Sequence, residues 1–225
     1  MIVAKNVASN GFEGVYHALF SAYGPQHWWP ADTPFEVMIG AILTQNTAWS
    51  NVEKAINNLK SQRLLSPEKI VTAELSAVSE AIRPSGYFNQ KAVRLQGFCA
   101  WYLAQGSYDS LAMLPVTKLR TMLLSVKGVG PETADDMLLY AFDHPVFVVD
   151  AYTRRIFTRL GLLQGGESYE AVRSLFESAL PKNTVMMNEY HALIVLHAKL
   201  HCKKKPRCDE CCIQHCCKVV NSAIA

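Results

Sequence analysis

Three groups of residues in this chain have types and spacings that can do chemistry. The first is a single acid. Asp150 follows the apolar run Val146-Phe147-Val148-Val149 and precedes the helix-compatible Ala151-Tyr152-Thr153-Arg154-Arg155-Ile156-Phe157. Taken alone, an aspartate in that context is a helix N-cap. The cap position also matters chemically, because helix-terminal amides and the helix dipole favour the ionised carboxylate near neutrality. A fixed anion close to a sugar can stabilise an oxocarbenium-like transition state, or orient or deprotonate an attacking water.

The second group is sulfur. Six of the 7 cysteines fall between Cys202 and Cys217, the other being Cys99. In a reducing compartment such crowding points to a metal or cluster rather than to disulfides. Four thiolates over 16 residues suit either a tetrahedral zinc ion or a [4Fe–4S] cluster. Cys202, Cys208 and Cys211 supply three ligands, and the fourth is Cys216 or Cys217. Lys203, Lys204, Lys205 and Arg207 lie between the first two. A metal-clamped loop would hold these charges in place for phosphate contact, whereas an unclamped one is only a solvated charge run.

The third group is Lys127-Gly128-Val129-Gly130-Pro131 between two amphipathic segments. Gly128 and Gly130 permit the unusual φ values and close approach of a tight hairpin, while Pro131 and Thr133 suit the start of the next helix. Amides of the loop and of that helix N-terminus, Val129 included, would aim at a phosphate oxygen, directly or through a monovalent cation. Such contact positions a nucleic acid without reading its sequence. The plainer alternative is a turn between two core helices. Upstream, Trp28, Trp29, Pro30 and Trp49 are large apolar groups that either pack in a core or sandwich an extruded base. A cationic base would add cation–π attraction worth up to ~2 kcal/mol. Gln45 is four residues from Trp49 and could fill the gap left in a duplex, or lie as a surface amide.

Helical periodicity dominates the elements that must position these groups. Thr33-Pro34-Phe35-Glu36 reads as a capping box opening an apolar helix, and similar faces recur at Val52–Leu59, Val172–Ala179 and Tyr190–His197. Pro and Gly clusters punctuate them, and only Val146 to Val149 resembles a strand. The expectation is an all-α fold of roughly ten helices in two lobes. At 225 residues and 50% hydrophobic the chain can bury a sizeable core, and its charge of +3 is only mildly basic. No apolar run reaches membrane-span length and the N-terminus lacks a signal-peptide core, so a cytoplasmic protein without membrane contact is expected.

Taken together, these motifs resemble the endonuclease III superfamily of helix-hairpin-helix DNA glycosylases. The likeness runs from about Leu19 to Cys217 and includes Leu43-Thr44-Gln45-Asn46-Thr47 and Gly86-Tyr87-Phe88-Asn89-Gln90-Lys91-Ala92. It implies a helical barrel over 22–144, with the helix-hairpin-helix at about 117–141, and a cluster lobe from 1–21 plus 145–225, with damaged double-stranded DNA lying in the cleft. It makes Asp150 the catalytic aspartate; one compact DNA-binding unit is enough for this task, so a monomer is expected. It also implies a [4Fe–4S] cluster, and the family spacing of five residues between the third and fourth ligands selects Cys217. Cys202 and Cys208 are one residue closer than the family pattern. Bifunctional members carry an imine-forming lysine where this chain has Glu132, so the resemblance implies a hydrolytic glycosylase without lyase activity. Trp28-Trp29-Pro30, Glu132-Thr133-Ala134-Asp135 and Asn188-Glu189-Tyr190-His191 are most like the methylpurine (3-methyladenine) branch. Alternatives are a G:T or G:U mismatch glycosylase, a bifunctional glycosylase for oxidised pyrimidines, and a DNA-binding protein without catalysis.

Overall fold

The computed structural model describes residues 2–218, apart from the side chains of residues 2–10 and Ser107; Met1 and residues 219–225, the ends of the expected cluster lobe, lie outside them. Among the described residues there are twelve α-helices and no strand. The chain divides into two compact units. One is Trp29–His144; the other combines the described residues through Trp28 with those from Pro145 onward. Helix α1 (Ile2–Tyr23), kinked at Gly11, opens the latter.

The Trp29–His144 unit holds α2 (Pro34–Leu43), α3 (Trp49–Ser61), α4 (Pro67–Thr72), α5 (Leu75–Ala81), α6 (Phe88–Ala104), α7 (Ser107–Ala112), α8 (Val116–Leu124) and α9 (Pro131–Tyr140). α2 is its central rod, with every residue from Glu36 to Leu43 buried. A helix apolar on all sides belongs inside, and α2 packs on α3, α6 and α9. Its start follows the expected capping, with one difference. Thr33 Oγ1 accepts from Glu36 N at 3.1 Å, but the Glu36 carboxylate reaches past the cap to Asp32 N at 3.2 Å. Buried Glu36 also pairs with Lys60 at 2.8 Å, which draws its carboxylate away from the Thr33 amide.

The second unit joins α1 to α10 (Ala151–Leu160), α11 (Tyr169–Ala179) and α12 (Thr184–Leu200). Its core is aromatic. The Phe147 and Phe176 rings stack at 3.9 Å, and Phe157 and Tyr190 meet Phe176 edge-on. Val146 to Val149 is buried but belongs to no strand among the described residues. Two of its amides are satisfied by α11 side chains: Phe147 N donates to Glu177 Oε1 at 3.1 Å, and Val149 N to Tyr169 Oη at 3.4 Å. This apolar run therefore anchors the approach to Asp150 in the core.

Candidate active site and metal centre

Asp150 is the N-cap of α10. Its Oδ1 accepts from Thr153 N at 2.7 Å and from Thr153 Oγ1 at 2.8 Å. Its Oδ2 lies 3.6 Å from His191 Nε2 on α12, and the Asp150 side chain is 12% exposed. Burial alone would raise its pKa. The His191 ring and the two Thr153 donors outweigh that, and the carboxyl lies below its ordinary value. The result is an oriented anion, held from two helices and only narrowly open to solvent. The sequence singles out the aspartate but gives no role to Thr153 or His191. The i+3 spacing of Thr153 from a capping acid is a usable signal for the first; for the second, separated by 41 positions, there is none.

The hairpin joins α8 to α9. Gly128 has φ +94°, whereas Gly130 is ordinary extended backbone (φ −91°, ψ 177°), so only the first glycine is required by conformation. A Cβ on Gly128 would stand 2.7 Å from Arg94 Cδ; one on Gly130 would meet nothing within 4 Å. Lys127 and Gly130 are exposed, Val129 and Thr133 buried, and Glu132 is exposed in the first turn of α9. Gln45 is tied to this hairpin. Its Nε2 donates to Gly128 O at 2.9 Å and Thr133 Oγ1 at 3.0 Å, and its Oε1 accepts from Arg94 Nη1 at 2.7 Å. Behind it, buried Lys91 donates to Leu43 O, Thr47 Oγ1 and Ser85 O, each at 2.8 Å. Burial, with Arg94 nearby, lowers the Lys91 pKa to about 8.

Three of the four expected aromatic-slot residues come together. Trp29, Pro30 and Trp49 line an open pocket of ≈ 500 Å³ with Glu36, Glu53 and Lys60. The two indoles meet edge-to-face at 5.0 Å, and Gly40 lets Trp29 lie on α2, since a Cβ there would approach its ring to 3.1 Å. Trp28 does not line this pocket; it belongs to the other unit, where Lys199 Nζ sits 5.7 Å from its ring centroid.

Cys202, Cys208, Cys211 and Cys217 line one cavity, which Cys212 and Cys216 do not reach. All four are free thiols of intermediate exposure. Burial pushes the Cys211 thiol up to about 11, and Cys212, Cys202 and Cys208 add to the rise as like charges. A single zinc ion, with bonds of about 2.3 Å, needs its sulfurs within about 4 Å of one another. Among the described residues no three His, Cys, Asp or Glu side chains converge to hold one ion. Four thiols lining one cavity are the donor set that a four-thiolate metal centre requires. The intervening basic loop is pinned: Arg207 N donates to His201 O at 2.9 Å, while Arg159 grips the carbonyls of Lys203 and Lys204 at 2.7 and 3.0 Å. The side chains of Lys203, Lys204, Lys205 and Arg207 are exposed. No helix among the described residues is long and apolar enough to cross a membrane.

An all-helical fold with a glycine hairpin between two helices is the helical fold of endonuclease III. The chain belongs to the HhH-GPD superfamily of base excision DNA repair proteins, whose pattern matches residues 39–182. A candidate DNA repair glycosylase of Methanocaldococcus jannaschii is 48% identical over 206 residues, 90% of this chain and 94% of that protein. The 3-methyladenine DNA glycosylase MagIII of H. pylori, solved with 1,N6-ethenoadenine, is similar at a TM-score of 0.73 and 30% identity, over 82% of this chain and 95% of its own. Endonuclease III in a non-covalent DNA complex matches in fold, with a TM-score of 0.81 at 22% identity over 94% and 96% of the two chains.

Proposed function

We propose that this protein is a monofunctional DNA glycosylase that hydrolyses the N-glycosidic bond of alkylated purines extruded from duplex DNA. The observation that carries this reading is the oriented, ionised Asp150 in a chain that places Glu132, not an amine, on the first turn after the hairpin. The likeness to MagIII at 30% identity supports the purine branch.

The roles follow from the geometry. The amides at the N-terminus of α9 and the exposed Gly130 receive a phosphate, with Lys127 adding charge and a monovalent cation completing the contact. The pinned Lys203, Lys204, Lys205 and Arg207 add backbone contacts that position without reading sequence. Trp29, Pro30 and Trp49 take the base, and Trp28 is not part of the slot. An N-alkylated purine is cationic, so it leaves as a neutral base without a general acid. As the C1′–N bond breaks, its electron pair goes to the base and positive charge grows on the sugar. Asp150 stabilises that charge. Oδ1 is already taken by the two Thr153 donors and Oδ2 lies 3.6 Å from the His191 ring, which favours this electrostatic role over proton abstraction; water adds to C1′ and its proton passes to solvent. A carboxylate at Glu132 cannot form an imine, so the product is an abasic site and an intact strand.

Cys202, Cys208, Cys211 and Cys217 hold a [4Fe–4S] cluster in this reading. The cluster supplies a redox-capable centre that braces the 202–217 segment, and no step of the hydrolysis passes through it. The test is direct: incubate the protein with methylated duplex DNA and identify the released bases. Free 3-methyladenine with no borohydride-trapped adduct is the expected result. Release of thymine from a G:T pair instead, or a covalent adduct, would overturn the assignment.

A further inference from the structure

The cysteine cavity contains two nitrogen donors that the proposed hydrolysis does not use. Arg159 on α10 places Nη1 3.2 Å from Cys202 Sγ while the same guanidinium holds the Lys203 and Lys204 carbonyls. His197 on α12, 0% exposed, places Nε2 3.6 Å from Cys211 Sγ. Its other ring nitrogen, Nδ1, lies 2.7 Å from the Tyr23 hydroxyl of α1. A ligating thiolate can only accept. The His197 proton must then sit on Nε2, which leaves Nδ1 to accept from Tyr23, so the tyrosine fixes the tautomer that points N–H at sulfur. Tyr23 is itself in contact with Cys212 rather than with any of the four cavity cysteines (3.8 Å).

We propose that Arg159 and His197 are outer-shell donors that set the reduction potential of the cluster these cysteines hold. The inference rests on the cluster reading above. Electron density on a cluster's sulfurs rises on reduction. An N–H group or a cation aimed at those sulfurs therefore stabilises the reduced form more than the oxidised one, which raises the potential. The donors come from two helices and address the first and third cysteines. Burial of His197 spares its contact from competition with water. The arrangement is more than a brace for the loop, because a brace has no need of a specified histidine tautomer.

The test uses the holoprotein as purified. Its visible spectrum and metal content come first, followed by the cluster's midpoint potential by voltammetry. Arg159→Leu and His197→Leu are expected to shift the midpoint to more negative values, with Arg159→Lys between Arg159→Leu and the wild type. Tyr23→Phe, whose lost hydroxyl bonds His197 and none of the four sulfurs, should also move it negative by releasing the tautomer, and it carries the test if the two leucine variants fail to load. Lys182→Gln, which alters an exposed charge in the turn before α12 and no contact to sulfur, should leave it in place. Unchanged midpoints in cluster-loaded Arg159→Leu, His197→Leu and Tyr23→Phe would overturn the inference while the brown colour upheld the cluster. A colourless wild type with one equivalent of zinc would overturn the cluster reading and the inference together.

Discussion

The two hairpin glycines answer to different causes, and substituting each separates fold from function. Gly128→Ala forces a Cβ into a backbone with φ +94° and to within 2.7 Å of Arg94 Cδ. The conformation costs roughly 1–2 kcal/mol. Arg94 cannot swing aside freely because its Nη1 is bound to Gln45 at 2.7 Å, and crowding of this kind adds roughly 1–3 kcal/mol. A total of roughly 2–5 kcal/mol lowers Tm by roughly 4–20 °C in a chain of this size. Gly130→Ala adds a methyl to extended backbone with nothing within 4 Å. Stability should hold, or rise by about 0.4–1 kcal/mol as the unfolded chain loses freedom. If DNA backbone lies against that position, the same methyl keeps it away, and affinity should fall about tenfold or more, which is ~1.4 kcal/mol. Thermal melts and fluorescence anisotropy with a duplex carrying an abasic-site analogue measure both quantities. A Gly130→Ala protein that melts normally and binds DNA as tightly as the wild type would refute the phosphate contact at this turn.

Three further outcomes are expected. Asp150→Asn should retain fold and DNA binding, since asparagine caps as well as aspartate, but lose about 10²–10⁴-fold in base release; turnover within a few-fold of wild type in single-turnover assays would remove Asp150 from the chemistry. Glu132→Lys returns an amine to the turn, and borohydride should then trap a protein–DNA adduct that the wild type does not form. Lys91 titrates near 8 in the folded protein, against 10.5 for an ordinary lysine. The unfolded chain therefore binds more protons between those values, and stability should rise with pH across that window by roughly 3 kcal/mol relative to Lys91→Met; parallel pH–stability curves for the two proteins would contradict this.

Local signals in the chain are enough for the class and for several elements. Thr33 and Pro34 start α2 as their types dictate, Asp150 caps α10, and Pro131 begins α9. Sulfur spacing alone leaves Cys216 and Cys217 open, whereas the cavity is lined by Cys217. What escapes is set by distance along the chain. Nothing near Asp150 announces His191, and nothing near Gly128 announces Arg94 or Gln45, because these partners meet only through the packing of α6, α2 and α9 or of α10 and α12. Trp28 and Trp29 are neighbours in sequence, yet the boundary between the two units falls between them. Composition cannot reveal such a break, since both indoles have the same reason to be buried.

Gln45 shows how packing changes a functional reading. As a free amide near a helix end it is a natural filler for a gap in the duplex. In the folded chain it makes three hydrogen bonds, two to the hairpin and one to Arg94. Each contributes roughly 0.5–1.5 kcal/mol, more where Arg94 lends its charge. Moving Gln45 into DNA would therefore cost on the order of 2–4 kcal/mol before any new contact forms. Held in place, it fixes the Gly128 carbonyl and the Thr133 hydroxyl on opposite sides of the turn, so the hairpin proposed to meet a phosphate is ordered beforehand. That ordering matters for a chain with a charge of only +3. With little long-range attraction to a polyanion, affinity must come from a few preorganised contacts rather than from a broad basic surface.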